Sequence, residues 1–93
     1  MESGRYLILF YDYVVDIVER RAAHRPAHLE HVGAYKQDGR VAAAGALGDP
    51  VTGAAIVFST ESEDEIRAFV EADPYVVAEL VTAWRVVPWT VVA

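Results

Sequence analysis

Ninety-three residues, 54 % of them hydrophobic, with a net charge of −6 and no cysteine, point to one domain spanning 1–93. The missing cysteine removes disulfides, thiolate metal sites and cysteine nucleophiles from consideration. The few Lys and Arg residues are scattered, so the clustered basic footprint that nucleic acid requires is absent.

The first element is Arg5–Tyr11, a nearly unbroken apolar and aromatic run that ends at Asp12 and reads as a strand buried on both faces. It is too short to cross a bilayer, and no secretory leader pattern precedes it, so a cytoplasmic, membrane-free protein is expected. Residues 14–22 form a short helix with Val14, Ile17, Val18 and Arg21 on one side. Pro26 forces a break near His24, because proline is tolerated only in the first turn of a helix. The main helix therefore runs from about Arg25 to Asp38, and Gly39 stops it.

Val41–Leu47 is a second strand containing Gly45, and Gly48–Gly53 is a turn. Ala54–Ser59 is the third strand, paired with the second as a hairpin. Ser62-Glu-Asp-Glu65 fits a capping box, as does Thr60-x-x-Glu63. The helix that follows carries Ile66, Phe69 and Val70 at helical spacing and ends before Asp73-Pro74. A short helical turn covers Pro74 to about Leu80, and Thr82–Val92 is the last strand.

The order β-α-β-β-α-β predicts an α+β, ferredoxin-like fold with a four-stranded antiparallel sheet. Two helices cover one face of such a sheet. Yet the first strand is apolar on both parities, Tyr6, Ile8 and Phe10 alternating with Leu7, Leu9 and Tyr11, and the last strand behaves alike. A half-solvated sheet alternates apolar with polar, so the second face is expected to pack on another copy, as a homodimer through sheet faces.

Few residues suit chemistry. His28 falls beside the sheet-facing stripe of the main helix, where an imidazole is half buried and suited to proton transfer; the plainer role is a core-edge histidine bonded to a backbone carbonyl. Asp73 is placed to N-cap the turn begun by Pro74, and its second oxygen is free to orient His28. Arg25 suits an anionic substrate group, although an ion pair with Glu19 or Glu79 is the simpler expectation. Asp12 ends a strand, where clefts of open sheets lie. Gly45 permits close approach of a ligand or another backbone, and Tyr75 can donate a hydrogen bond into a pocket or keep its hydroxyl wet. His24, His28 and His31 sit at i, i+4 and i+7, but Pro26 takes His24 out of register, so no metal site is expected; His31 is expected to be solvated.

A strand ending in Asp12, Arg25-x-x-His28-Leu29, Gly39, Ala44-Gly45 before a hairpin, Asp73-Pro74-Tyr75 and a final strand with Pro88-Trp89 together resemble the YciI-like (YCII-related) family over nearly the whole chain. The resemblance implies the dimeric ferredoxin-like α/β barrel, a homodimer, and an active-site His and Asp falling on His28 and Asp73, with Arg25, Asp12, Gly45 and Tyr75 as neighbours. A characterised branch of the family is similar to muconolactone isomerases and dehydrochlorinates a chlorinated hydroquinone. Here Ala46 stands where a proline often follows the glycine, and the hairpin is short, so the resemblance does not carry the substrate over. The expectation is a cofactor-free acid/base enzyme of lyase or isomerase type acting on a small, largely apolar cyclic molecule. The alternatives are a non-catalytic binding or assembly module and a cofactor-independent monooxygenase.

Overall fold

The computed structural model describes residues 1–93. In chain order it contains β1 (Gly4–Tyr13), α1 (Ile17–Arg20), a 3-10 turn (Arg21–Ala23), α2 (Arg25–Gln37), β2 (Val41–Leu47), β3 (Gly53–Phe58), α3 (Glu63–Ala72), α4 (Pro74–Val77) and β4 (Val81–Val91). All four strands pair antiparallel in the spatial order β2-β3-β1-β4. This is the ferredoxin-like arrangement expected from the element order.

The strand period of two divides β1 between two environments. Leu7, Leu9, Tyr11 and Tyr13 point to the helix side, where Leu9 and Tyr11 are buried with Ile56, Phe58, Ile66, Phe69 and Val70. The register puts Tyr6, Ile8 and Phe10 on the other side with Val57, Val87 and Trp89. No helix covers that side, and Val87 and Trp89 are 37 % and 39 % exposed. Arg85 lies there too, its guanidinium 4.6 Å over the Phe10 ring.

Helix boundaries follow local punctuation. Pro26 sits in the first turn of α2, and Gly39 follows its end with φ +89°, a conformation other residues resist. The Ser62 hydroxyl accepts from the Glu65 N–H at 3.3 Å, so Ser62 is the N-cap and α3 begins at Glu63; the box is not closed, because the Ser62 N–H and the Glu65 carboxylate both turn to the Thr60 hydroxyl instead. α4 is shorter than the expected run to Leu80. Glu79 adopts φ +62°, and the Leu80 N–H returns to the Tyr75 carbonyl at 2.9 Å, which closes the turn and starts β4.

Gly53 is strand rather than turn. A Cβ there would lie 2.1 Å from the Tyr11 carbonyl oxygen, so only glycine lets β3 approach β1 at this point. Asp12 does not end β1. It pairs with Gly53 and Ala83 inside the ladder and projects, exposed, from the side away from the helices.

Candidate active site

Asp73 is fully buried at the junction of α3 and α4. Proline at 74 holds Asp73 in an extended conformation, with φ −69° and ψ 122°, which ends α3 and turns its side chain back over the first residues of α4. Its Oδ1 accepts from the Tyr75 N–H at 3.0 Å, the N-cap bond expected from the sequence. The same oxygen accepts from Nδ1 of His28 at 2.7 Å, across 45 residues of chain. Its Oδ2 accepts from the Tyr11 hydroxyl at 2.7 Å. Three donors on one carboxylate explain how so polar a group is tolerated at zero exposure.

His28 is held on three sides. α2 places it on the first full turn after the Pro26 break, where it is 8 % exposed. Asp73 takes Nδ1, and the Tyr75 ring stacks on the imidazole at 3.7 Å with 2° between planes. Because a carboxylate accepts and does not donate, the neutral ring carries its proton on Nδ1 and leaves Nε2 as the basic nitrogen. Nε2 has no partner within the protein, and His28 lines the wall of a cavity of about 400 Å³ between α2 and β2, β3. That volume suits a small organic molecule.

The phenols around the pair remain protonated donors far into the alkaline range. Burial pushes the Tyr11 hydroxyl well above its usual value, and the charge and hydrogen bond of Asp73 push it further. Burial also raises Tyr13, reinforced by Tyr75 and Asp73 and opposed by Arg21 and Arg25. Tyr13 packs edge-on against Tyr75, with ring centroids 5.9 Å apart. The Tyr75 hydroxyl is buried with no partner within 3.5 Å, and the Arg25 guanidinium is the donor nearest to it.

Of the six residues singled out in the sequence, five gather here. His28, Arg25, Gly45 and Tyr75 line the cavity, and Asp73 stands behind His28. Gly45 contributes backbone only: the register aligns it with Ala55, so a side chain would leave from the opposite face, and a Cβ there meets nothing within 4 Å. Asp12 is not among them, because its place in the β1 alternation aims it away from the helices. Arg25 makes no ion pair, neither with Glu19 nor with Glu79. His31 is half-buried rather than freely solvated. α3 packs beside α2, so the His31 ring stacks on Phe69 at 4.5 Å and Nε2 donates to the Phe69 carbonyl at 2.9 Å.

Tyr11 and Arg21 were not recognised as site residues from the sequence. Tyr11 did leave a signal: a phenol on the core-facing parity of a buried strand needs a hydrogen-bond partner, and a buried carboxylate is the strongest available. Arg21 left none, since only the 3-10 turn swings it towards the cavity.

A ferredoxin-like domain with a carboxylate-held histidine on a cavity wall is the class defined by fold and geometry. The YCII-related domain model matches residues 4–90, and the chain belongs to that family. The proteins named YciI from Escherichia coli O6:H1 and from Shigella flexneri are each 35 % identical over 72 residues, covering 68 % of this chain and 74 % of theirs. A solved structure of similar fold is 5-chloro-2-hydroxyhydroquinone dehydrochlorinase (TftG) from Burkholderia phenoliruptrix AC1100, in complex with 2,5-dihydroxybenzoquinone. It superposes with a TM-score of 0.77 at 25 % identity, covering 91 % of this chain and 93 % of that one. No helix is long and apolar enough to cross a membrane.

Proposed function

We propose that this protein is a small acid/base enzyme of lyase or isomerase type, acting on a small cyclic organic molecule through His28 and Asp73. The observation that carries the reading is the 2.7 Å contact between His28 Nδ1 and Asp73 Oδ1, with Nε2 left free at the cavity. Asp73 fixes the tautomer and stabilises the imidazolium, an orienting role that carboxylates play in triads. Nε2 accepts a proton from a carbon or hydroxyl of the substrate. The electron pair left behind forms a new double bond, and either a leaving group departs with its own bonding pair or the proton returns at another atom. Tyr11 secures the second carboxylate oxygen. The dehydrochlorinase of similar fold performs a reaction of the elimination type by its name, which supports the reaction class.

The same reading makes the protein a homodimer joined through the bare sheet faces. Ile8, Phe10, Val87 and Trp89 form an apolar strip on a face without helices, larger than isolated exposed side chains would require.

The test is solvent-deuterium incorporation and halide release from chlorinated hydroxyhydroquinones and related ring ketones. His28→Ala is expected to lower the rate by about 10²–10⁴-fold, the usual contribution of a positioned proton-transfer group. An undiminished rate in His28→Ala would overturn the assignment. For the assembly, Ile8→Glu is expected to halve the mass measured by light scattering, and an unchanged mass would argue against the sheet-face dimer.

A further inference from the structure

The cavity beside His28 is opposite in charge sign to the molecule that contains it. The chain has 14 acidic and eight basic residues, yet Arg21, Arg25 and Lys36 line the cavity and no Asp or Glu does. None of these three cations has a carboxylate within 4.0 Å; the ion pairs of the protein engage Arg20, Arg40 and His28 instead. At the His28 end of the cavity, Tyr75 is 2 % exposed and its hydroxyl oxygen has no partner within 3.5 Å. Buried hydroxyls without a partner are rare, and each needs a reason. Burial raises Tyr75, while the charges of Arg25 and Arg21 and a hydrogen bond from Arg25 pull the other way, so both guanidiniums lie near this phenol and Arg25 is its nearest donor.

Resting on the reading of this cavity as the reaction site, we infer that its substrate is an oxyanion, a small ring bearing a carboxylate or ionised hydroxyl. The charged oxygen binds Arg21, Arg25 and the Tyr75 hydroxyl, and the ring lies against Ala44, Ala46 and Ile56. The guanidiniums supply charge and directed N–H donors. Tyr75, whose oxygen faces the Arg25 guanidinium, supplies its O–H as the third donor. Lys36 lies 11 residues beyond Arg25 on α2, about 16 Å by helical rise, too far to share the same oxygen. The anion would lie beside the imidazole face, where it also stabilises the protonated ring after proton transfer.

The test compares benzoate with benzamide, two probes of one shape and different charge, titrated into the whole protein at constant ionic strength and followed by NMR chemical shifts. Benzoate is expected to bind at least tenfold more tightly. Arg25→Gln and Arg21→Gln are each expected to cut that preference several-fold without changing benzamide binding, and both residues lie at the surface, where folding tolerates the change. Tyr75→Phe keeps the stack on His28 and is expected to weaken benzoate alone. Benzoate binding no tighter than benzamide, whether both bind equally or neither binds, overturns the inference, as does a preference that survives Arg21→Gln/Arg25→Gln. Turnover that depends on His28 without any charge preference sinks the oxyanion alone. A charge preference with undiminished turnover in His28→Ala sinks the acid/base reading alone.

Discussion

Removing the Asp73 carboxylate tests the centre of the structure directly. Three donors converge on it: His28 Nδ1, the Tyr11 hydroxyl and the Tyr75 N–H. Asp73→Ala leaves all three without an acceptor, in a place water does not reach. At about 1–3 kcal/mol for each stranded buried donor, the loss is about 3–9 kcal/mol, against a total stability of about 5–15 kcal/mol for a domain. Asp73→Asn keeps the shape but offers one acceptor oxygen and one donor in place of two acceptors. It turns the Tyr11 hydroxyl from donor into acceptor and removes the charge from all three bonds, and is expected to cost about 1.5–3 kcal/mol. Urea unfolding followed by tryptophan fluorescence reads both values, at fixed protein concentration because association would shift the midpoint. A cycle with Tyr11→Phe isolates one arm, and the coupling between Tyr11 and Asp73 should be about 1.5–3 kcal/mol. A loss below about 1 kcal/mol in Asp73→Ala at unchanged slope, with no coupling to Tyr11, would refute the argument that this carboxylate is satisfied by buried donors.

Other perturbations have equally definite outcomes. The Tyr11 proton is held more tightly in the folded state than in the unfolded state, so above about pH 10 the native form binds more protons and stability falls by about 1.4 kcal/mol per pH unit for this group; Tyr11→Phe should lessen that slope by the same amount, and parallel lines for the two proteins from pH 9 to 12 would contradict it. Gly53→Ala sets a methyl against the Tyr11 carbonyl and is expected to cost about 3 kcal/mol or more, with loss of strand pairing visible by hydrogen exchange. Gly33→Ala, in α2 with nothing within 4 Å of the new Cβ, is expected to stabilise by about 0.5–1 kcal/mol in thermal melts. Glu79→Gly relieves a left-handed backbone and should raise stability by up to about 1 kcal/mol, whereas Glu79→Val should lower it.

Where the sequence was legible, the cause was local. Pro26 and Gly39 bracket α2, Ser62 begins α3, and Asp73-Pro74 bounds α3 from α4; each acts through the backbone of its immediate neighbours. The two apolar parities of β1 match one face under helices and a second apolar face that no helix covers. Placement by distant parts of the chain leaves no such mark. His31 looked solvated because nothing in its own helix reveals that Phe69 will lie against it. Arg25 had plausible carboxylate partners in sequence, but the fold sends Glu19 and Glu79 elsewhere and leaves the guanidinium at the cavity. Asp12 follows the apolar run and so resembles a strand end in sequence, but the ladder runs on to Tyr13 and parity aims it outward. The meeting of His28 with Asp73 was anticipated as a pair, but the third member, Tyr11, was hidden in a strand read only as core.

The parallel stack of Tyr75 on His28 makes the site observable without any substrate. Protons held over an aromatic face feel the magnetic field of its circulating electrons and resonate upfield of their usual positions. The carbon-bound protons of His28 and His31 therefore stand apart from those of His24 in a one-dimensional spectrum, each shifted by a different neighbouring ring. The ionisation of this one imidazole can then be followed through its own resonance, apart from those of the other two histidines.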